Sequence, residues 1–209
     1  MAHPAALSLK AIQSLLDSDT TLLEYSLGDE KSWLWAVSDH SLNVYALPKR
    51  ADIEVVSRHV YRLLSSPNQE TGDSSVSRQA VAESEYIYES SKLSNLTLNP
   101  VADLLKRTKR LVIVSDGALQ YIPFAALPPP GKPVHALPLV LSHEIVDLPS
   151  ASILAELRKQ ADGRATPPKT VAILADPVFD LNDERLGAER RHSSLALSRV
   201  AGEPDEISQ

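Results

Sequence analysis

The segment RLVIVSDGALQYIPFAAL, residues 110–127, constrains the fold more than any other part of the chain. It begins with an unbroken apolar run, Leu111–Val114, and passes directly into Ser115, Asp116 and Gly117. A run that is apolar on both faces is typical of a central strand in a parallel sheet covered by helices. Open sheets of this kind place their binding groups at the carboxyl ends of the strands. The sequence therefore predicts that Asp116 and Gly117 lie at the edge where a site would form.

The composition is that of an ordinary soluble protein. The chain has 209 residues, of which 43% are hydrophobic and 23% charged, enough for one substantial core. Its net charge of -6 argues against duplex nucleic acid or an anionic membrane as a partner. No apolar run approaches the roughly 20 residues of a membrane span, and the N-terminus lacks the pattern of a secretory signal. We therefore expect a cytoplasmic protein.

The chain contains no cysteine. This excludes disulfides, thiolate metal sites and a cysteine nucleophile within these 209 residues.

The first half of the chain predicts a meander followed by helices. Between residues 20 and 47, apolar residues alternate in three short runs joined by turn-forming residues, which indicates an antiparallel β-meander. Ser8 is placed to cap a short helix before it. Residues 51–108 then show helical spacing. The polar segment 65–78, which contains Pro and Gly, interrupts them and predicts a mobile loop.

The second half predicts the start of an α/β sheet over residues 109–179. Six prolines between Pro123 and Pro138 preclude regular structure over most of that span. An extended run at Leu139–Leu148, broken by Ser142–Glu144, is followed by a helix after Ser150 and a second apolar strand at Val171–Ala175. Residues 180–209 are charged and small, which predicts a disordered tail. The fold class expected is α/β, with a mostly parallel sheet flanked by helices.

Each candidate for chemistry has a structural alternative. The residues around Ser115 do not form the complete G-x-S-x-G pattern of a nucleophile elbow, and no base lies near it in the sequence. Asp116-Gly117 either lines a pocket or forms a turn in which glycine supplies a positive φ. Neighbouring residues of a strand point to opposite faces, so His143 and Glu144 cannot act on one substrate atom. We predict no bound metal, because the cluster Asp176, Asp180 and Asp183 lacks the glycine and the final glutamate of a calcium loop. We predict no cofactor, because the sequence contains no glycine-rich phosphate-binding loop.

Several blocks of the chain resemble the CHAT domain, a relative of caspases that is often found behind tetratricopeptide repeats. The resemblance runs from about Thr21 to Phe179. The opening hairpin, with Leu22-Leu23-Glu24-Tyr25, is similar to that of the family. So are three later blocks in the family's order: Ser115–Leu127, Leu148–Ser152 and Ala175–Pro177.

The resemblance implies a caspase-like sheet and, in active members, cysteine peptidase chemistry. There, a histidine in a His-Gly context assists thiolate attack by a cysteine in an Ala-Cys context. This chain has no cysteine, and none of its six histidines precedes glycine. No catalytic residue is therefore assigned, and residues 1–209 are interpreted as a single incomplete CHAT domain, its N-terminal portion. Asp116 and Gly117 are candidates for the pocket that receives the substrate residue before the cleaved bond.

Three functions follow as hypotheses. In the first, the chain is part of a caspase-like peptidase that needs further residues to be complete. In the second, it is a degenerate CHAT module that acts in protein–protein interaction. The third is a flavodoxin-like nucleotide-binding module, against which the missing phosphate loop counts. The expected partner is a protein or peptide, such as a tetratricopeptide-repeat region or the rest of the CHAT domain, with no nucleic acid and no membrane.

Overall fold

The computed structural model describes residues 7–65, 73–132 and 136–161, with the side chains of residues 73–79 left out. Five strands in the described part form one sheet: β1 (Thr20–Ser26), β2 (Ser32–Val37), β3 (Leu42–Leu47), β4 (Arg110–Val114) and β5 (Glu144–Leu148). Five α-helices accompany them: α1 (Leu9–Gln13), α2 (Arg50–Ser65), α3 (Asp73–Leu98), α4 (Ala102–Leu105) and α5 (Ala151–Ala161). The strand order is β3-β2-β1-β4-β5. The predicted α/β class is confirmed.

The sheet is mixed, and its two halves come from different parts of the sequence. β1, β2 and β3 pair antiparallel, as the alternating apolar residues predict. β4 lies parallel to β1, with Leu23 opposite Ile113, and β5 lies parallel to β4. The meander therefore extends the same sheet that the α/β segment builds. β1 joins the two halves.

Residues on the two faces of the sheet enter two separate cores. Leu23, Tyr25 and Leu27 of the β1 segment pack on one face with residues from α2, α3 and β4. Leu22 and Val112 point to the other face, where they contact Leu16 and residues of α5. Leu111 and Val112 are both essentially buried although they face opposite ways, so β4 is covered on both sides. This is the arrangement that an uninterrupted apolar strand requires.

The predicted mobile loop at residues 65–78 is wrong at both of its ends. Ser65 is the last residue of α2, and α3 begins at Asp73 rather than after Arg78. Residues 66–72 lie outside the described part. Serines weaken a helix only slightly, and the apolar residues further along α3 pack into the core, so tertiary contacts override the local preference.

The run at Leu139–Leu148 is also shorter as a strand than its composition predicts. Leu139–Leu141 forms a 3₁₀ turn, with Leu139 fully buried, and the strand begins only at Glu144. The sequence predicts no regular structure over most of the proline-rich span before it. Its described residues contain a short 3₁₀ turn, Phe124–Ala126, and neither an α-helix nor a strand. The second apolar strand predicted at Val171–Ala175 and the predicted tail at 180–209 lie outside the described residues. None of the described helices is long and apolar enough to cross a membrane.

Candidate functional site

The carboxyl ends of three parallel strands meet at one edge of the sheet. β1 ends at Ser26, β4 at Val114 and β5 at Leu148, and the pairing registers bring Glu24 beside Val114 and Val114 beside Leu148. The segments that leave these ends are Leu27-Gly28, Ser115-Asp116 and Pro149. This is the edge at which open α/β sheets hold their ligands.

Asp116 binds the end of β1. Its Oδ2 accepts a hydrogen bond of 2.8 Å from the backbone N–H of Leu27. Its backbone carbonyl accepts from the N–H of Leu119, 3.2 Å away, and so begins the 3₁₀ turn Gly117–Tyr121. The side chain is 38% exposed. Asp116 thus connects the segment after β4 to the segment after β1.

Arg50, the first residue of α2, completes this connection. Its Nη2 lies 3.7 Å from Oδ2 of Asp116 and donates a hydrogen bond to the carbonyl of Leu27. Its Nη1 lies 3.6 Å from Oε1 of Glu54, and its backbone N–H donates to the carbonyl of Gly28 over 2.8 Å. The Asp116 carboxylate therefore already has a basic side chain of its own chain beside it. Charge-assisted contacts of this kind are stronger than neutral hydrogen bonds.

Gly117 is required at its position by both conformation and space. Its φ is +56°, in the left-handed region. A Cβ added there would lie 3.2 Å from Leu27 Cδ1, 3.3 Å from Arg50 Nη1 and 3.4 Å from Glu54 Oε1. The positive φ expected from the Asp-Gly pair is therefore present, and the glycine also lets the turn approach α2.

A small cavity with both polar and apolar lining residues lies next to these contacts, between the ends of β4 and β5. Its volume is about 300 Å³, and Ser115, Gln120 and Asp147 supply its polar groups. Gln120 Nε2 donates to the carbonyl of Ser115 at 3.4 Å. Partial burial raises the pKa of the Asp147 carboxyl above its usual value. The cavity can therefore bind a polar or basic group in a partly desolvated setting.

The described residues that surround this cavity do not form a nucleophile–base pair. Its lining contains neither histidine nor lysine beside Ser115. His143 lies at the opposite edge of the sheet, where its Nε2 donates to the carbonyl of Leu105 at 2.9 Å and its Nδ1 lies 2.8 Å from Ser142 Oγ. His59 contacts Glu85 at 2.9 Å.

The structure brings Ser115 into the cavity, while Asp116 and Gly117 lie beside it and do not line it. Asp147 and Arg50 are contacts at this end of the sheet that the sequence does not single out. A signal for Asp147 exists: it shares a strand face with Ile145 and comes one residue before the end of a predicted strand. Arg50 gives no such signal, because its contact with Asp116 spans 66 positions of the chain.

The described part of the chain holds no cluster of three or more His, Asp or Glu side chains that could bind a metal ion. The carboxylates Asp176, Asp180 and Asp183 lie outside it.

Comparison with known proteins identifies a family and adds little about relatives. A family model described as the CHAT domain matches residues 89–209, more than half of the chain. No curated protein matches. A solved structure titled crystal structure of apo psk41 parM protein is similar at 9% identity and a TM-score of 0.33. The alignment covers 76% of this chain and 47% of that one, so the chain spans less than half of its length. A score this low carries no argument about function.

Proposed function

Because the chain belongs to the CHAT domain family, a caspase-like family, we propose that it is the N-terminal, non-catalytic part of a caspase-like cysteine peptidase domain. In this proposal the chain supplies the sheet and part of the substrate pocket. The cysteine and histidine that cleave the peptide bond come from residues other than these 209. The reaction class is hydrolysis of a peptide bond by a thiolate nucleophile. The cytoplasmic location expected from the sequence belongs to the same proposal.

The observation that carries this proposal is the chemistry at the carboxyl edge of the sheet. Ser115, Gln120 and Asp147 gather there in an open cavity, in a chain that contains no cysteine at all. A cavity with polar groups but no cysteine and no nucleophile–base pair among the described residues supports a binding role. Since the edge is where α/β enzymes place catalytic groups, a nucleophile on an adjoining strand would face the same space.

We assign the substrate contact within this proposal to Asp147 rather than to Asp116. The Asp116 carboxylate is engaged by Leu27 and Arg50, whereas Asp147 lines the cavity. A partly buried carboxylate favours a positively charged side chain, because pairing offsets the cost of its desolvation. The proposed substrate is therefore a peptide with a basic residue before the cleaved bond.

The first test is to read the gene beyond the codon for Gln209. A predicted strand ending in His-Gly, followed by a strand ending in Ala-Cys, would support the peptidase. The corresponding protein should then cleave a peptide library, and replacing that cysteine by alanine should abolish cleavage. A cysteine-free protein, or an intact protein that cleaves no member of the library, would contradict the proposal.

Two substitutions test the pocket assignment in the intact protein. We expect Asp147→Asn to reduce the preference for basic over neutral peptides by about tenfold, because the loss of one charge-assisted contact weakens binding by roughly that factor. Asp116→Asn should lower stability more than it changes the preference. The reverse result, a preference lost in Asp116→Asn and kept in Asp147→Asn, would return the pocket role to Asp116 and Gly117.

The second candidate function is a degenerate CHAT module that binds another protein. The absence of cysteine favours this candidate, because a module that only binds another protein does not need a catalytic cysteine. Its expected partner is a tetratricopeptide-repeat region or the rest of a CHAT domain. A stop codon directly after Gln209, together with binding of a purified tetratricopeptide-repeat protein encoded beside it, would favour this candidate over the peptidase.

A further inference from the structure

We propose that the chain binds a small organic phosphate in a cationic cavity at the edge where β4 and β5 begin. This site is independent of the proposed function, because it lies at the opposite end of these strands from Ser115 and Asp147. The cavity has a volume of about 670 Å³ and lies between α4, the proline-rich segment and the residues before β5. Ligand sites in proteins usually have volumes of about 300–1,000 Å³.

The charge of the cavity is opposite to that of the whole chain. Among the described residues, its lining includes Lys106, Arg107, Lys109 and Lys132 and no carboxylate, although the chain carries a net charge of -6. Cations concentrated around a concave surface attract anions more strongly than the same cations spread over a flat one. The local charge therefore selects an anionic ligand.

Two of the four cations have no ion pair among the described residues. Lys106 contacts Asp103 at 2.6 Å and Lys109 contacts Asp19 at 2.7 Å, so these two are partly neutralised. Arg107 and Lys132 are exposed and form no salt bridge within the part of the chain that the structure describes, although Arg107 is near enough to Asp103 to help lower the pKa of that carboxyl. The guanidinium of Arg107 presents several N–H donors in a planar fork, which matches two oxygens of a phosphate group.

The walls of the cavity are held in place before any ligand binds. Ser94 Oγ donates to the carbonyl of Pro128 at 2.6 Å, and the N–H of Gly131 donates to Asn95 Oδ1 at 2.8 Å. These hydrogen bonds connect the proline-rich wall of the cavity to α3. The rings of Pro129 and Pro130 restrict the backbone of this wall further. A site that is ordered in advance loses less entropy when it binds a ligand.

The floor of the cavity indicates that the ligand has an apolar body as well as an anionic group. Leu105 and Leu139 are buried beneath it, and Pro129 and Pro130 form an apolar wall. His143 adds no free donor or acceptor, since both of its ring nitrogens have partners. The combination favours a phosphate ester of an aromatic or aliphatic alcohol over a free inorganic ion.

The test is binding of 1-naphthyl phosphate to the full 209-residue chain, followed by calorimetry and by NMR chemical shifts. We expect saturable binding with a Kd below about 1 mM, and weaker binding of both 1-naphthol and inorganic phosphate. The shifts should concentrate at Thr108, Lys109 and Gly131. Raising the salt concentration should weaken binding, because the contact is between charges.

Charge-removing variants with matched controls decide the site. Arg107→Gln and Lys132→Gln should each weaken binding by about tenfold, whereas Arg158→Gln and Lys10→Gln, which lie outside the cavity, should leave it unchanged. Circular dichroism and thermal unfolding check that each variant is folded. The proposal is overturned by binding that ignores Arg107 and Lys132. It is overturned equally by the absence of saturable binding to the wild-type chain, or by binding of long polyanions alone.

Discussion

The carboxylate of Asp116 accepts a hydrogen bond from the backbone N–H of Leu27, which lies 89 positions earlier in the chain. The donor follows the end of β1 and the acceptor follows the end of β4. Arg50 contacts both partners from the start of α2. One acidic side chain therefore connects the meander, the helical segment and the parallel part of the sheet.

Asp116→Ala should destabilise the fold by about 1–2 kcal/mol, because it leaves the Leu27 N–H and the Arg50 guanidinium without their carboxylate. Urea unfolding measures the change. Asp29→Ala is the control: that carboxylate is 98% exposed and lies 4.0 Å from Arg50, so its loss should matter little. Equal stability of the wild type and Asp116→Ala would show that the contacts of Asp116 with Leu27 and Arg50 do not stabilise the fold.

Gly117→Ala should cost more than Gly131→Ala, although both glycines have a positive φ. The backbone strain of about 1 kcal/mol is common to the two substitutions. Only the Cβ at residue 117 meets neighbours, whereas a Cβ at residue 131 meets nothing within 4 Å. We expect an additional loss of about 1 kcal/mol at residue 117. Thermal and urea unfolding of both variants give the comparison, and indistinguishable losses would show that crowding is unimportant.

Asp147→Asn should change the pH dependence of stability. Burial raises the folded-state pKa of Asp147, so the stability contributed by its neutral form is complete below the unfolded pKa and is lost as pH rises through the folded pKa. The variant should therefore gain stability relative to the wild type as the pH rises above the usual pKa of aspartate.

Asp17→Asn should change the pH dependence of stability in the opposite direction. A hydrogen bond from Thr20 is the main cause that lowers the pKa of Asp17, so its stabilising effect is present above the unfolded pKa and is lost as pH falls. Free energies of unfolding are measured for both variants from pH values below the usual pKa of aspartate up to neutral pH. The assignment is contradicted if the two curves have the same slope relative to the wild type.

Phe124→Ala should destabilise the fold by about 3–5 kcal/mol, the usual cost of removing a large buried ring. Phe124 is 1% exposed, and its ring centroid lies 5.4 Å from that of Tyr25. Tyr88→Ala on α3 is the control, since that ring is 60% exposed and its loss should cost less than about 1 kcal/mol. Differential scanning calorimetry distinguishes the two. A small loss at residue 124 would mean that the proline-rich segment contributes little to the core.

The sequence predicts those parts of the fold that depend on local pattern. The alternation through Leu23, Tyr25 and Leu27 is enough to place β1, and the uninterrupted run before Ser115 places β4. The start of α3 could not be predicted in this way, because its first residues favour a loop in the sequence, whereas Leu93 and Leu98, which pack into the core, lie further along the helix.

The sequence indicates where the candidate cavity lies but not which residues line it. The run that ends at Val114 points to this end of the sheet, yet it does not say which carboxylate faces the cavity. That depends on the register of β5 against β4, which sets Asp147 opposite Ile113. Registers between strands more than 30 residues apart are decided by packing of the whole sheet rather than by local sequence.

The parallel pairing of β1 with β4 affects the order in which this protein can fold during synthesis. Thr20 pairs with Arg110, so β1 leaves the ribosome 90 residues before its partner, a delay of several seconds at about 5–20 residues per second. The meander can form within that time, but one side of β1 keeps its hydrogen-bonding groups unpaired. Leu22 and Leu23, both fully buried in the finished sheet, stay partly uncovered meanwhile. The nascent chain is therefore most prone to aggregation just before residues 110–114 emerge.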